Sequence, residues 1–169
     1  MTIDGLCEAI RKTRCPVCVG LDTELSHLPS GYQPSEDSDS AIAKCVFEYN
    51  CDIINATYDV IPSVKVQAAY YEQYGPEGMK CFLDTMAYAK QKGLIVIADV
   101  KRNDIGSTAS AYARAYVERS AADFITVNAY LGIDGIAPFL KACEKTGKGI
   151  FALVKTSNPS GGKSHGGEP

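Results

Sequence analysis

The chain has 169 residues, 46% hydrophobic and 22% charged, a composition typical of one soluble globular domain with a substantial core. Its net charge of -3 argues against nucleic acid or an anionic membrane as a partner, and no window is apolar enough to span a bilayer. Residues 1–14 mix acidic and basic side chains, so we expect no signal peptide. Seven cysteines, an odd number scattered through apolar segments, indicate reduced, buried thiols and a cytoplasmic location.

Predicted helices and strands alternate along the chain. An amphipathic helix opens it, through Ile3, Leu6, Cys7 and Ile10. The predicted strands are Pro16–Asp22, Ser63–Gln67, Leu94–Lys101, Asp123–Asn128 and Lys148–Lys155, and the first and third of them are expected to be buried. Long helices are predicted over 42–60, 75–92, 108–121 and 133–145, and a surface loop over 23–40. On the first of these helices, the spacing predicts a buried face of Ile42, Cys45, Tyr49, Ile53, Ala56 and Val60.

Such alternation predicts an α/β fold with a parallel sheet, either open and doubly wound or part of a (β/α)8 barrel. Polar residues stand at the carboxyl end of every predicted strand: Asp22, Lys65 with Gln67, Asp99 with Lys101, Asn128, and Thr156 with Ser157. In a barrel these ends converge on one mouth, where such enzymes place their chemistry. The pattern therefore favours the barrel.

Asp99 and Lys101 are the strongest candidates for chemistry. The period of two in a strand places them on the face of Ile95 and Ile97. Burying either charge alone costs several kcal/mol, roughly, so the two must be paired or used. A structural salt bridge is the simplest interpretation of an isolated pair. Lys65, Asp104, Asp22, Thr108 and Ser157 extend the set, however, and together they indicate a preorganised polar site.

Other motifs give weaker signals. Cys15-Pro-Val-Cys18 could be a thiol-redox motif, but it lies before or within a strand, and no second pair completes a zinc site. A buried structural pair is the simpler interpretation. Gly162-Lys163-Ser164 lacks the first glycine and the helix of a phosphate-binding loop. His27 and His165 have no partner spacing, so we predict no metal site.

Five segments of the chain resemble the orotidine 5'-phosphate decarboxylase family, in its longer-chain (type 2) branch. They are Val19–Asp22, Lys65–Glu72, Asp99–Thr108, Thr126–Asp134 and Leu153–Pro159. The D-x-K-x-x-D core also occurs in sister decarboxylases and aldolase-like proteins, whereas the surrounding segments are typical of this branch. The resemblance covers nearly the whole chain and implies a (β/α)8 (TIM) barrel that converts orotidine 5'-phosphate to UMP.

The resemblance also implies roles for individual residues. Lys101 would protonate C6 of the pyrimidine as CO2 leaves, Asp99 would lie against the substrate carboxylate, and Lys65 would join this charged network. Asp104 would reach the neighbouring subunit's site in a homodimer, which makes it the fourth catalytic residue. The implied substrate-binding residues are Asp22, Gln67, Ile105, Thr108, Thr156 and Ser157. Neither a metal nor an organic cofactor is implied.

The predicted elements cover only the first five βα units of a barrel that has eight. We therefore expect residues 1–159 to form a partial barrel domain and 160–169 to be a flexible, glycine-rich tail. The family's phosphate-binding residues would belong to later units, so we expect this truncated chain alone to have little or no activity. Two alternatives stay open: a non-catalytic fragment that pairs with intact subunits through residues 104–108, and a thiol-redox protein that uses Cys15 and Cys18.

Overall fold

A computed structural model describes residues 3–159, which form one five-stranded parallel sheet with helices against it. The strands are β1 (Cys18–Gly20), β2 (Ser63–Gln67), β3 (Ile95–Arg102), β4 (Phe124–Asn128) and β5 (Gly149–Leu153). The α-helices are α1 (Ile3–Thr13), α2 (Asp39–Thr57), α3 (Ala69–Glu72), α4 (Gly75–Gln91), α5 (Gly106–Ala113) and α6 (Gly132–Thr146). A π-helical segment, Arg114–Glu118, continues α5. The predicted tail, with Gly162-Lys163-Ser164 and His165, lies outside the described residues.

Each strand pairs in parallel with the next strand along the chain, in the order β1-β2-β3-β4-β5. A doubly wound sheet reverses its strand order at a switch point, whereas successive strands of a (β/α)8 barrel are neighbours. The observed order is therefore that of a barrel. None of the helices in residues 3–159 has the length and apolarity needed to cross a membrane.

Alternate residues of the strands build two cores on opposite faces of the sheet. On one face, Val64, Val96 and Ile125 pack in the large core that also takes in residues of α2, α4, α5 and α6. On the other face, a smaller cluster of Ile95, Ile97 and Phe124 packs against Leu6, Ala9 and Phe151. The second face is the one that, nearer the carboxyl ends of the strands, carries the candidate functional residues.

The first predicted strand is too long and is not buried. β1 covers only Cys18–Gly20, and both of its terminal residues are exposed. It pairs with β2 on one side and is the last strand of the sheet on the other, so its backbone is not enclosed as that of β3 is. The predicted surface loop before α2 contains two short 3-10 helices, Leu25–His27 and Ser30–Tyr32, and Leu28 between them is buried.

The predicted face of α2 is rotated away from the observed one. The buried residues of this helix are Ile42, Ala43, Val46, Asn50 and Ile54. The predicted face included Ala56 and Val60, which are both exposed: Val60 lies beyond the end of the helix at Thr57, and Ala56 lies within the helix but on its solvent side. Tyr49, on the predicted face, is only partly buried and packs edge-on against Tyr32 of the preceding loop, at 5.0 Å between ring centroids.

Candidate active site

The carboxyl ends of β1, β2 and β3 bring four charged side chains together. The parallel register pairs Gly20 with Lys65 and Gln67 with Asp99, so the ends of these strands are level with one another. Asp22 follows β1 closely, and its carboxylate meets the side chain of Lys65. The predicted grouping of Asp22, Lys65 and Asp99 with Lys101 is thus present in the structure.

Asp99 is the centre of this group. Its residue is only 5% exposed, and its carboxylate accepts hydrogen bonds from four different side chains. Oδ1 accepts from Lys101 Nζ at 2.6 Å and from Thr126 Oγ1 at 2.8 Å. Oδ2 accepts from Gln67 Nε2 at 3.0 Å and from Lys65 Nζ at 3.1 Å. Each carboxylate oxygen of Asp99 therefore accepts two hydrogen bonds from neighbouring side chains.

The surroundings of Asp99 favour its charged form. Burial by itself would raise the pKa of this carboxyl, but the hydrogen bonds from Lys101, Thr126 and Lys65 outweigh burial and lower the pKa below its ordinary value. For Lys65, burial works to lower the pKa, yet the neighbouring carboxylates of Asp99 and Asp22 raise it overall. Both groups are consequently ionised over the whole neutral range.

Lys65 links the buried and the accessible parts of the network. Its ammonium lies 3.1 Å from Asp99 and 3.3 Å from Asp22. Side-chain exposure rises from 8% for Asp99 to 31% for Lys65 and 39% for Asp22. Charges therefore alternate from Lys101 through Asp99 and Lys65 to Asp22, and a ligand can approach the network from the solvent side.

Lys101 reaches Asp99 through a distortion of β3 and not through simple alternation. Ala98 pairs with Ile125 and Arg102 with Val127; between these pairs β3 has three residues, 99–101, whereas β4 has only Thr126. Lys101 has a φ of 46°, in the left-handed region that side chains other than glycine rarely adopt. Bulges of this kind re-aim side chains and are common beside active sites. Here the bulge turns the ammonium back onto the carboxylate two residues earlier.

Arg102 anchors the strand directly after the bulge. Its guanidinium donates to Glu72 on α3, to the hydroxyl of Tyr116 at 3.2 Å, and to the carbonyl oxygen of Val100 at 3.1 Å. It also lies over the rings of Tyr112 and Tyr116, at 5.5 and 5.3 Å from the centroids. The end of β3 is thereby fixed to the helical layer on the far side of the sheet.

A second, fully buried network holds the loop that carries Asp22. Thr23 donates to Asn50 on α2 at 2.6 Å, Asn50 donates to the hydroxyl of Tyr71 at 2.9 Å, and Tyr71 donates to the carbonyl oxygen of Leu21 at 3.0 Å. Burial raises the pKa of Tyr71, so its hydroxyl stays a neutral donor. The residues on both sides of Asp22 are thus tied to helices.

Several predicted site residues lie apart from the charged network. The carboxylate of Asp104 accepts from the amide of Ile105 at 2.8 Å and forms no ion pair within residues 3–159. Ile105 is 63% exposed, and Thr108 is exposed at the start of α5. Thr156 and Ser157 are exposed in the segment that follows β5.

Sequence reasoning missed Thr126, Asn50 and Tyr71 as site residues. A signal existed for Thr126, because it precedes Asn128 by one strand period and so belongs to the same face of β4. Asn50 stood among apolar residues of a predicted helix, and a buried amide needs partners. Nothing in the sequence pattern distinguished Tyr71 from a core aromatic residue.

The geometry suits a proton transfer assisted by fixed charges. An ammonium held by a carboxylate is a proton donor whose position does not change when charge develops on a reacting atom. A buried carboxylate beside it can act on a second anionic group through repulsion. Because both groups are held by neighbours on β2 and β4, the site is organised before any ligand arrives.

Known proteins share this sequence and fold. Residues 16–166 match the model of the orotidine 5'-phosphate decarboxylase / HUMPS family. The chain is 47% identical over 163 residues to the orotidine 5'-phosphate decarboxylase of Rhodopirellula baltica, a match covering 91% of this chain and 54% of that protein. It is 44% identical over 160 residues to the enzyme of the same name from Clostridium novyi, covering 94% and 54%. The chain spans about half the length of the curated relatives it matches.

A solved structure shares the fold at similar coverage. A crystal structure from Streptomyces avermitilis, described as a candidate orotidine 5'-phosphate decarboxylase, superimposes with a TM-score of 0.84 at 33% identity. The match covers 96% of this chain and 55% of that one. Together with the strand order, it confirms the predicted (β/α)8-barrel class, of which the described residues provide five strands.

Proposed function

Because the chain belongs to the orotidine 5'-phosphate decarboxylase / HUMPS family, we propose that it carries the proton-donating part of an enzyme that converts orotidine 5'-phosphate to UMP. One observation carries the proposal: the Lys101 ammonium lies 2.6 Å from the buried Asp99 carboxylate at the carboxyl end of β3. The same carboxylate is fixed by Lys65, Gln67 and Thr126, so the donor stands in a preorganised electrostatic environment.

The proposed reaction breaks one carbon–carbon bond and forms one carbon–hydrogen bond. The bond between C6 of the pyrimidine and its carboxyl carbon breaks, the electron pair stays on C6, and CO2 departs. Lys101 Nζ donates a proton to C6, forms the new C–H bond, and regains a proton from water afterwards. Its positive charge stabilises the developing carbanion without reorientation. Asp99, beside the departing carboxylate, repels it in the ground state, and this repulsion is relieved as CO2 forms.

The remaining substrate contacts belong to the accessible side of the network. Asp22 and Lys65, whose side chains are 39% and 31% exposed, would bind the ribose hydroxyls. Gln67 would hold Asp99 and face the substrate from β2. Thr156 and Ser157 would contact the pyrimidine ring from the segment after β5. Orotidine 5'-phosphate is the small-molecule partner in this proposal, and no cofactor takes part.

A homodimer with shared active sites is part of the proposal. Asp104, Ile105 and Thr108 would serve the neighbouring subunit's site, which fits their separation from this chain's own network. Exposed apolar side chains between β4 and the first turn of α6 support an interface here: Tyr130 is 88% and Ile133 68% exposed. The start of α6 lies close to Asp104, because a Cβ placed on Gly135 would lie 3.5 Å from the carbonyl oxygen of Asp104.

Cytoplasmic location is proposed with the activity. All seven cysteines are free thiols in the described residues, as a reducing compartment favours. Those thiols include Cys15 and Cys18, so the thiol-redox alternative is still open to test, as is pairing of a non-catalytic fragment with intact subunits. Among the described cysteines only Cys81 and Cys143 are buried, whereas Cys18 is exposed and Cys15 partly buried. The prediction of buried thiols, including a buried Cys15–Cys18 pair, is therefore wrong for most of them.

Loss of orotidine 5'-phosphate absorbance tests the function. The chain is produced in a pyrimidine-requiring host without its own decarboxylase, alone and together with the C-terminal half of the Rhodopirellula baltica relative. We expect little or no turnover from the 169 residues alone and measurable turnover from the pair. Lys101→Ala should abolish that turnover, whereas replacing Cys15 and Cys18 by serine should preserve it. A folded, associated pair without turnover would overturn the proposal.

A further inference from the structure

The bulge in β3 creates a backbone problem that one side chain solves. Where three residues of β3 lie opposite a single residue of β4, the ladder of backbone hydrogen bonds is interrupted. The amide of Lys101 instead donates to Oγ1 of Thr126 at 2.9 Å. Thr126 is the β4 residue opposite the bulge, and its side chain is largely buried. The hydroxyl therefore takes the place of a backbone acceptor.

The same hydroxyl also acts as a donor. Thr126 Oγ1 donates to Asp99 Oδ1 at 2.8 Å, the oxygen that also accepts from Lys101 Nζ at 2.6 Å. One oxygen atom thus joins the backbone of the lysine to the carboxylate of the aspartate. The connection forms a closed ring, in which the side chain of Lys101 and its own amide are both held through Asp99 and Thr126.

We propose that Thr126 is a positioning residue that locks the Lys101 backbone in its left-handed conformation and thereby aims the ammonium at the reacting carbon. The catalytic consequence of this positioning rests on the proposed decarboxylase function, whereas the hydrogen-bond geometry does not. A left-handed lysine is unfavourable by itself and persists only where its surroundings over-determine it. The Lys101 amide is held by Thr126 on β4, and the next residue, Arg102, is anchored to Glu72 on α3.

A hydroxyl fills both roles at this position. Valine has the same shape as threonine but can neither accept from the Lys101 amide nor donate to Asp99. Serine keeps both hydrogen bonds and loses a methyl group. Thr126→Val and Thr126→Ser are therefore a matched pair that separates hydrogen bonding from packing. Thr146→Val is the control for loss of a threonine hydroxyl elsewhere, because Thr146 donates to carbonyl oxygens within its own helix, α6.

Two NMR measurements on the purified chain test the proposal without substrate. In Thr126→Val we expect the pKa of Asp99, followed through its carboxyl carbon, to rise, because one of the bonds that lower it is gone. We also expect the Lys101 amide to exchange with solvent about tenfold faster, the effect of losing one hydrogen bond. Thr126→Ser and Thr146→Val should match the wild type in both measurements.

The outcomes separate this proposal from the proposed function. Unchanged Asp99 titration and amide exchange in Thr126→Val would overturn the positioning role, as would equal changes in Thr126→Ser. If Thr126→Val does not fold, Thr126→Cys, a weak donor of similar size to serine, must show the same changes in smaller degree. In the active pair of chains, Thr126→Val should lower kcat with a smaller effect on KM. Absence of all turnover would count against the decarboxylase function and leave the NMR result standing.

Discussion

Replacing Asp99 with asparagine should lower the free energy of unfolding by about 2 to 4 kcal/mol. The two side chains have the same shape, but asparagine has one acceptor oxygen where the carboxylate has two. Each oxygen of Asp99 accepts from two donors, so the new amide nitrogen would face two donors that it cannot satisfy. The ammonium groups of Lys65 and Lys101 would also lose their buried counter-charge.

The size of the effect follows from burial. Each hydrogen bond to a charged group contributes about 1.5 to 3 kcal/mol, and breaking a buried ion pair costs about 3 to 5 kcal/mol. The upper end does not apply, because the side chains of Lys65 and Lys101 are 31% and 44% exposed and can turn toward water. Asp99 itself, at 8% side-chain exposure, cannot.

Acid should reduce the difference between the two proteins. The pKa of folded Asp99 lies below its ordinary value, because the bonds from Lys101, Thr126 and Lys65 outweigh burial. Its contribution is therefore complete above the unfolded-state pKa of about 3.9 and is lost as the pH falls through the folded-state pKa. Asparagine does not titrate, so the stability gap should be full at pH 7 and should narrow below about pH 4.

Urea unfolding followed by circular dichroism, at pH 7 and at a pH below about 4, tests this prediction. Asp22→Asn is the matched control: its carboxylate is 39% exposed and pairs with Lys65 at 3.3 Å, so we expect a loss of about 0.5 kcal/mol or less. Asp99→Asn with unchanged or higher stability at pH 7 would refute the reasoning. It would mean that the free energy of desolvating these charged groups is as large as the stabilisation from their hydrogen bonds.

Three further substitutions test the packing that supports the site. Gly78→Ala should lower the free energy of unfolding in urea by about 3 kcal/mol, because its Cβ would lie 1.9 Å from the carbonyl oxygen of Tyr71. Gly31→Ala is the control and should lower it little, because nothing lies within 4 Å of a Cβ there. Equal urea midpoints for the two variants would contradict this prediction. Tyr71→Phe should lower the free energy of unfolding by about 1 to 2 kcal/mol in the same assay, because the Tyr71 hydroxyl holds the loop that carries Asp22. An unchanged free energy of unfolding would mean that water replaces the hydroxyl. Asp123→Ala should lower the free energy of unfolding by about 2 kcal/mol. It should also speed hydrogen exchange of the Val96 amide, which donates to the Asp123 carboxylate at 3.0 Å. An unaltered exchange rate of this amide would contradict the second expectation.

The strongly periodic parts of the fold could be predicted from the sequence. β2 has the predicted bounds Ser63–Gln67, and α4 begins at the predicted glycine-proline pair and ends before Gly93, whose φ of 84° suits glycine alone. The alternation of helices and strands was enough for the fold class. Periodicity failed where tertiary contacts decide: β1 lies at the edge of the sheet, and the buried face of α2 is set by what packs against it.

The composition of the site was more predictable than its geometry. Strand ends identified Asp22, Lys65, Asp99 and Lys101, because parallel strands present their carboxyl ends together. The bulge was not predictable, since nothing in the letters Asp99-Val-Lys101 shows that three residues of β3 lie opposite one residue of β4. Simple alternation gave the right neighbour for Lys101 although the strand does not alternate there. The role of Thr126 depends on that bulge and was missed for the same reason.

The charged network is closed within the first four strands. Its members come from the ends of β1, β2, β3 and β4, and every donor to Asp99 comes from β2, β3 or β4. None of these bonds involves β5 or the segment that follows it. Lys101 and Asp99 can therefore be organised by local strand pairing before the rest of a barrel contributes to the site. For this reason, organisation of the proposed proton donor, Lys101, is separate from turnover, and variants at Thr126 and Asp99 can measure the first without the second.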